Sequence, residues 1–359
     1  MPFKSTLARS AGKPFGVFKE ADLSLRGATQ SSRFVSSEVN PREHFNVKLY
    51  DGDDATSNAI TGLGFSPDLV WIKNRDQDER YIVKDTIRGV GSALYSDSSS
   101  AADTGSDYSD RFPSFDADGF TVGTDHTGTN SSGDEFVAWC WNAGSSTVSN
   151  TDGSITSSVR ANPSAGFSIG TYTGTGANAT VGHSLNAAPE MILVKSRNYT
   201  DSWHVYHVGM SNTHFLRLET ADNRTVRDTA WQDTTPTSTV FSIGTDNGVN
   251  TDTKSILFYA FTSVEGYSKI GSYTGNGGEI TVTTGFEPSF LLVKDLDGGN
   301  DWYVFDSERS IHLNPSNTSS EVGKTNWSNY QLQSNGFYFN TSNAAVNGNT
   351  DEYIYAAFA

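Results

Sequence analysis

The chain has 359 residues, of which 18% are charged and 35% hydrophobic, and aromatic residues reach 12%. A disordered chain is poor in aromatic residues, so this composition argues against disorder. Short aromatic and β-branched runs alternate with clusters of Gly, Asn, Asp and Ser, which is typical of an all-β sandwich or barrel. A net charge of −16 argues against a nucleic-acid-binding or membrane-binding body.

The N-terminal segment, residues 1–43, differs from the rest in charge. Up to Arg42 it has seven basic and three acidic residues, a net charge of +4, which leaves −20 on the remainder. We expect an anchoring arm that docks on an acidic partner and orders on binding. Its partner-anchoring residues are predicted to be Lys4, Arg9, Lys13, Lys19 and Arg26. A solvated tail is the alternative.

Cys140 is the only cysteine, so neither an intramolecular disulfide nor a cysteine-based metal site is expected. Its apolar neighbours predict a buried thiol. No stretch approaches the ~20 apolar residues of a membrane span. Residues 1–11 lack the apolar core of a signal peptide. We therefore expect synthesis in the cytoplasm and release without secretion.

One set of landmarks occurs three times along the chain. A proline begins an apolar run that ends in lysine: Pro67 to Lys73, Pro189 to Lys195 and Pro288 to Lys294. Each copy also has an upstream Tyr-x-Gly turn, a downstream aromatic strand and two closing strands. The distance from the proline to the last aromatic residue hardly changes, at 74, 72 and 70 residues (Pro67 to Trp141, Pro189 to Phe261, Pro288 to Phe358).

Each copy is therefore predicted to be a β-sandwich or jelly-roll module of about 100 residues. The modules span residues 44–144, 166–265 and 266–359, and the Ser/Thr/Asn/Gly-rich residues 145–165 have the composition of a linker. Proline belongs at the start of a strand because it cannot donate to a sheet. The consecutive apolar residues after it, such as Phe290 to Val293, predict a strand buried on both faces.

Sequence motifs for catalysis are missing: there is no Gly-x-Ser-x-Gly elbow, phosphate-binding loop or His-Glu-x-x-His. No enzyme activity and no cofactor are expected. His204 and His207 lie three apart in a predicted strand, so they should face opposite sides. One loop carries the density of oxygen ligands that calcium needs, at Asp295, Asp297, Asn300 and Asp301. An ordinary Asp/Gly turn is the alternative there.

The repeated lysines, Lys73, Lys195 and Lys294, have two interpretations. They could bind a shared ligand. The favoured interpretation is that each ends a buried strand and extends its ammonium to the surface.

Several stretches resemble tandem-repeat virion structural proteins of marine bacteriophages, which are tail-fibre-like or capsid-decorating and have lectin-like jelly-roll modules of the concanavalin type. The resemblance lies in Asn150 to Ile155, Ala165 to Ile169, His214 to Leu218, Val264 to Lys269 and the leader Phe3 to Ser10. It covers about residues 46–359 and implies a structural protein on the particle surface, without catalytic residues to carry over.

Three functions follow as hypotheses. The first is a virion protein on the particle surface, a capsid decoration or another head or tail component. It would be homo-oligomeric and attached to other virion proteins through the arm, without nucleic acid or membrane insertion. The second is an adhesin that binds host surface glycans through variable loops. The third, a polysaccharide depolymerase, is disfavoured because no carboxylate pair recurs among the modules.

Overall fold

The computed structural model describes residues 39–124, 127–321 and 329–359. Within them almost every regular element is a strand, and the strands form antiparallel sheets. The predicted all-β sandwich fold is therefore confirmed. Residues 39–359 belong to one compact unit.

The first sandwich pairs a large sheet with a small one. The large sheet has the order β1-β9-β3-β4-β5-β6 and the small one β2-β8-β7. Its elements are a 3₁₀ helix (Pro41–Glu43), β1 (Phe45–Asp51), β2 (Asn58–Thr61), β3 (Leu69–Asn74), β4 (Ile82–Asp85), β5 (Ser92–Tyr95), β6 (Asp103–Thr104), α1 (Ser106–Arg111), β7 (Ser114–Asp116), β8 (Gly119–Val122) and β9 (Glu135–Trp141).

The second sandwich repeats this plan and adds a hairpin. Its large sheet runs β10-β11-β12-β19-β14-β15-β16-β17, and β13 pairs with β18 in the small sheet. The elements are β10 (Thr147–Asn150), β11 (Ser157–Asn162), β12 (Phe167–Thr173), β13 (Ala179–Gly182), β14 (Met191–Ser196), β15 (His204–His207), β16 (His214–Arg217), β17 (Thr225–Val226), α2 (Asp228–Trp231), β18 (Val240–Ile243), α3 (Asn247–Asn250) and β19 (Ser255–Phe261).

The third sandwich has the smallest of the three large sheets, with four strands. The large sheet has the order β20-β26-β22-β23 and the small one β21-β25-β24. Its strands are β20 (Ser268–Thr274), β21 (Glu279–Thr283), β22 (Phe290–Asp295), β23 (Tyr303–Asp306), β24 (Tyr330–Gln333), β25 (Gly336–Asn340) and β26 (Glu352–Phe358).

Residues 145–165, whose composition favoured a linker, contain the hairpin β10–β11. Strand β11 pairs with β12 from Asn162 opposite Phe167 to Ser158 opposite Thr171. The segment thus extends the large sheet of the second sandwich instead of forming an open connection.

The strand after each proline is buried on both faces, as predicted for Phe290 to Val293. Every residue of β3, β14 and β22 is buried. Side chains alternate between two cores, because successive residues of a strand point to opposite faces. In β22, Leu291 and Val293 enter the core of their own sandwich, while Phe290 and Leu292 enter a core shared by all three modules.

The shared core has a pseudo-threefold axis. Trp141, Phe261 and Phe358 occupy equivalent positions, each opposite the first residue of a post-proline strand. Their rings contact one another pairwise at 6.4 Å for Trp141 and Phe261, 5.7 Å for Trp141 and Phe358, and 5.7 Å for Phe261 and Phe358. Three equivalent residues in mutual contact place the axis between them, so the modules close into a ring.

This shared core predicts that the three modules unfold in one transition. Phe358→Ala removes a ring that is 3% exposed, and we expect a loss of about 3–5 kcal/mol. Scanning calorimetry should show a lower Tm for the whole body and still a single peak. Val226→Ala, at a side chain 71% exposed, is the control and should change stability by less than about 0.5 kcal/mol. Separate transitions for separate modules would contradict the shared core.

Candidate interaction surfaces

The contacts between modules repeat around the ring. In each contact, a backbone N–H downstream of the aromatic strand of one module donates a hydrogen bond. The acceptor is the carbonyl directly after the post-proline strand of the next module. The three bonds are Ala102 N to Arg197 O at 2.8 Å, Arg224 N to Leu296 O at 3.2 Å, and Glu321 N to Arg75 O at 2.7 Å. The last joins the third module to the first, so the ring is closed.

Two of the three repeated lysines donate hydrogen bonds across these same interfaces. All three are fully buried, so the expectation that their ammonium groups reach the surface is wrong. Lys195 Nζ donates to Ser99 O of the first module at 3.1 Å, and Lys294 Nζ to Ala221 O of the second at 3.1 Å. Lys73 Nζ donates to Gln77 O at 2.7 Å. Burial lowers the pKa of Lys195 and Lys294 to about 8.

In two modules, the aromatic residue at the start of the aromatic strand also donates a hydrogen bond across an interface. Trp203 Nε1 donates to Tyr95 O at 2.8 Å, and Trp302 Nε1 to Arg217 O at 2.9 Å. Tyr81 occupies the equivalent position beside the backbone of Asn314, and burial raises the pKa of its hydroxyl. These indoles serve packing and hydrogen bonding between modules.

A polar residue at the end of each aromatic strand faces the closing strand of the next module. Asp85 accepts a hydrogen bond from Tyr259 Oη at 2.7 Å. Asp306 accepts one from Trp139 Nε1 at 2.9 Å. In the second module the position holds His207, whose Nε2 lies 3.2 Å from Tyr355 O. Burial lowers the pKa of His207 to about 4.

The other strand histidine, His204, belongs to a cluster inside the second sandwich, on the face opposite His207 as expected. Its Nε2 lies 3.1 Å from Asp246, which also binds Arg227 at 2.5 Å and caps α3 through Gly248 N. Burial alone would raise the pKa of Asp246, but the neighbouring His204 and Arg227 hold it below its usual range. The other ring nitrogen, His204 Nδ1, lies 3.2 Å from the backbone carbonyl of Ser202. The partner of this nitrogen is therefore not a nucleophilic side chain.

The predicted calcium ligands are not brought together as a cation site. Asp295 accepts from the backbone N–H of Asp297 and Gly298 and from Asn300 Nδ2, at 2.6–3.0 Å. The carboxylate of Asp297 binds Arg224 at 2.9 Å instead.

The fourth predicted ligand, Asp301, is also engaged by the protein. Its carboxylate accepts hydrogen bonds from Ser316 Oγ and Asn317 Nδ2, both at 2.9 Å. Across the described parts of the chain, no group of three or more His, Cys, Asp or Glu residues is placed to hold a metal ion. The geometry is that of an Asp turn fixed by protein donors.

One set of recurring residues was not predicted from the sequence. It is a buried asparagine that precedes each closing strand. Asn130, Asn250 and Asn347 are fully buried. The side-chain oxygen of each accepts the backbone N–H just after the Tyr-x-Gly turn, at 2.8–3.2 Å. Asparagine is common in the loops of this chain, so the only available signal was its recurrence a few residues before the last strand.

The body has two distinct ends. The Tyr-x-Gly turns and the buried asparagines lie at one end, which we call the distal end. The last residues of the closing strands, Val39 and the C-terminal Ala359 lie at the other, the proximal end. Strand β1 connects the two ends, with Phe45 opposite Trp141 proximally and Asp51 opposite Glu135 distally. Seven residues of strand span roughly 24 Å.

The proximal end carries a groove between the first and third modules, with a volume of about 490 Å³. Residues 45–47 of β1 form one wall, and Ser289, Ser307 and Glu308 of the third module form the other. The five predicted anchoring residues, Lys4, Arg9, Lys13, Lys19 and Arg26, lie outside the described residues. The chain enters the body beside the groove, where Asn40 to Arg42 line its end.

The described residues therefore define a class of protein: a closed repeat protein in which three β-sandwich modules form a ring. The chain belongs to the family described as a domain of unknown function, DUF7483, whose model matches residues 40–359. The match covers all three modules and begins where the described body begins. A comparison with curated proteins found no match.

The buried lysines predict a specific loss on substitution. Lys294→Met should cost about 1–3 kcal/mol of unfolding free energy, because the partly buried carbonyls of Ala221 and Asn300 would lose a charged donor. Lys269→Met, at an exposed position of β20, is the matched control and should be near neutral. Denaturant titration of both variants checks this. Equal stability of the two variants would contradict the interface role.

The pKa of His207 predicts acid sensitivity of the ring. A histidine with a folded pKa of about 4 and an unfolded pKa near 6.5 binds fewer protons when folded. The contribution of His207 to the free energy of unfolding is therefore fully present above pH 6.5 and is lost as the pH drops towards 4. This site contributes up to about 3 kcal/mol at 1.36 kcal/mol per pKa unit.

His207→Gln, whose amide can still accept from Gly209 N and donate to Tyr355 O, should flatten the dependence of unfolding free energy on pH between 6.5 and 4. The comparison is of slopes, so any change in baseline stability does not affect it. His183, whose pKa burial also lowers to about 4, leaves a residual slope. An unchanged slope in the variant would refute the assignment.

Proposed function

We propose that this chain is a bacteriophage virion structural protein on the particle surface, a capsid decoration or another head or tail component, held by its N-terminal arm. The observation that carries the proposal is the division of the body into two ends. The arm joins the body at Val39, on the proximal end, whereas the Tyr-x-Gly turns lie about the length of a strand away. An attached arm would leave the distal loops facing outward.

The charge distribution supports attachment through the arm. The arm carries +4 up to Arg42, and the remainder carries −20. Like-charged bodies repel at close range, so an acidic body needs a separate segment to hold it against a crowded acidic surface. A basic segment that docks on an acidic neighbour supplies that attachment. The neighbours are other virion proteins, and several copies of the chain would assemble on each particle.

The pairing of buried titratable groups with one another supports a non-catalytic role. Arg88 pairs with Asp85 and Arg309 with Asp306, and all four side chains are buried. Asp246 and His204 are also buried, and Asp246 caps a helix. Groups that bind one another inside a packed body stabilise a fold and offer no site to a substrate.

The experiment is removal of residues 1–30, which leaves the body and its entry segment intact. We expect a folded protein with unchanged thermal unfolding that fails to incorporate into particles assembled in the presence of competing full-length chain. Incorporation is quantified by mass spectrometry of purified particles. The control replaces Lys4, Arg9, Lys13, Lys19 and Arg26 by glutamine in the full chain, and should reproduce the loss if charge is responsible.

Normal incorporation of the truncated chain would contradict arm-mediated attachment. Loss on truncation but not on the glutamine substitutions would assign the attachment to the arm's shape instead of its charge.

The alternative function, a host-glycan adhesin, rests on one described aromatic residue. Tyr199, in a distal loop, is 39% exposed, whereas the six tryptophans among the described residues are all buried. Aromatic faces are the usual platforms for sugar rings, so Tyr199 is the residue to test. Saturable glycan-array binding that is lost in Tyr199→Ala would favour the adhesin over the purely structural role.

A further inference from the structure

One carboxylate joins two arginines across the interface between the third and first modules. Glu321 Oε1 accepts a hydrogen bond from Arg309 Nη1 at 2.5 Å, and Glu321 Oε2 accepts one from Arg75 Nε at 3.0 Å. The side chains of Glu321 and Arg309 are buried. A carboxylate in this position satisfies both guanidinium groups and offsets their mutual repulsion.

The interface between the first and second modules has the same two arginines. Arg88 corresponds to Arg309, since each follows by three residues the aspartate that ends an aromatic strand and forms an ion pair with it. Arg197 corresponds to Arg75, since each directly follows a post-proline strand. By this correspondence, the side chains of Arg88 and Arg197 face the same part of the interface.

Ala102 takes the position of Glu321 at this interface. Its backbone N–H donates to Arg197 O at 2.8 Å, just as the N–H of Glu321 donates to Arg75 O at 2.7 Å. The Ala102 side chain packs against the shared core. The interface therefore keeps the backbone bond and both arginines, but an alanine stands where the third module has the carboxylate.

The guanidinium atoms that face this position have no hydrogen-bond partner in the described parts of the chain. They are Arg88 Nη1 and Arg197 Nε, and both atoms are buried. The same atoms of Arg309 and Arg75 bind Glu321. A buried donor without an acceptor forgoes the hydrogen bonds that water would give it, so these two N–H groups call for an acceptor.

The second carboxylate that holds Arg75 is also replaced. Arg75 Nη1 lies 2.6 Å from Glu135, the first residue of β9. The first residue of β19 is Ser255, whose hydroxyl oxygen lies 3.4 Å from Arg197 Nη1. Burial, followed by the charge of Arg88, lowers the pKa of Arg197. The two guanidinium groups are thus close enough to repel each other.

The remaining interface, between the second and third modules, has neither arginine. Met210 and Leu296 stand at the two positions, and both are buried. Among the described residues, the arginine pair therefore occurs once with a carboxylate between its members, once without one, and once not at all. The interface between the first and second modules is the one that leaves the pair without a carboxylate.

We propose that Arg88 and Arg197, beside Ala102, bind a small-molecule carboxylate of about the size of acetate. A glutamate side chain exceeds that of alanine by one methylene and one carboxylate group, which together have nearly the shape of acetate. The two oxygens accept from Arg88 Nη1 and Arg197 Nε, and a planar carboxylate suits the fork of donors on a guanidinium group.

The bound carboxylate is a structural ligand and not a substrate. It offsets a buried positive charge and joins the first module to the second. This inference does not rest on the proposed function, since it is tested on the isolated protein.

The first test compares thermal unfolding of the full chain, dialysed into sodium chloride, with unfolding in sodium acetate at equal ionic strength and neutral pH. A ligand that binds the folded state raises the Tm with its concentration, and we expect a saturable rise of a few °C. Arg197→Met removes one of the two donors and should abolish the saturable rise. Acetate acts on the rest of the protein surface equally in both chains, so the difference between them reports on the site.

The second test supplies the carboxylate from the chain itself. Ala102→Glu reproduces the arrangement around Glu321, so its Tm in chloride should exceed that of the unaltered chain, and acetate should add no saturable rise. The reverse substitution, Glu321→Ala, should lower the Tm in chloride. Acetate should restore part of that loss, because the variant has the same two arginines beside an alanine.

Binding is measured directly by NMR titration of isotopically labelled acetate. Arg197→Met and Ala102→Glu should each weaken acetate binding by about tenfold or more, since the first removes a charge-assisted hydrogen bond and the second occupies the site. Inorganic phosphate in place of acetate tests the class of anion. Saturable binding of phosphate without binding of acetate would overturn the assignment to a carboxylate.

An equal response to acetate in the unaltered chain and in either variant, or no response in the unaltered chain, would also overturn the proposal. Each variant is compared with the unaltered chain separately, so a failure of one variant to fold leaves the other comparison to decide.

Discussion

Burial of the post-proline strands on both faces is the constraint on which the rest of the structure depends. One face of β3, β14 or β22 is covered by the small sheet of its own sandwich. The other face is equally apolar and has no cover within the module. Each buried large side chain contributes roughly 1.5–3 kcal/mol, so this second face must meet another apolar surface. Three modules that turn these faces towards one axis satisfy the requirement together.

Closing the ring buries polar groups, and the sequence supplies a partner for the main ones. Backbone N–H groups pair with carbonyls across each interface, and the buried lysine at the end of each post-proline strand donates to backbone carbonyls. The Asp85–Arg88 and Asp306–Arg309 pairs are fully buried. Pairs of this kind add little net stability but penalise any arrangement that separates them. Each carboxylate also accepts a hydrogen bond from the next module, Asp85 from Tyr259 Oη and Asp306 from Trp139 Nε1, and these bonds favour one way of joining the modules over others.

The sequence predicted the elements better than their assembly. The prolines, the Tyr-x-Gly turns and the apolar runs located the central strands of all three modules, because these signals act within a few residues. The shared core was not predictable, since an apolar run such as Phe290 to Val293 reveals burial on two faces but not which surface provides the cover. For the same reason, Lys294 was expected at the surface, although the neighbouring module encloses it.

The remaining differences also arise from long-range contacts. Asp297 resembled a calcium ligand in its loop, but Arg224 from the preceding module binds it. The residues 145–165 have the composition of a linker, yet the edge of β12 gives their backbone a partner. Local composition reflects only the preferences of an isolated segment. The conformations of the calcium-like loop and of residues 145–165 depend on contacts with residues that are distant in the sequence. The arm residues lie outside the described part of the chain, so their predicted role stays a prediction.

Closure of the ring is the central claim, and one pair of residues reports on it directly. Arg75 Nη2 of the first module lies 2.9 Å from Glu321 Oε2 of the third, although the residues are 246 positions apart in the sequence. A double-mutant cycle with Arg75→Met and Glu321→Gln measures their coupling in the free energy of unfolding. A closed ring predicts a coupling of about 0.5–3 kcal/mol. Strictly additive effects of the two substitutions would mean that the first and third modules do not meet.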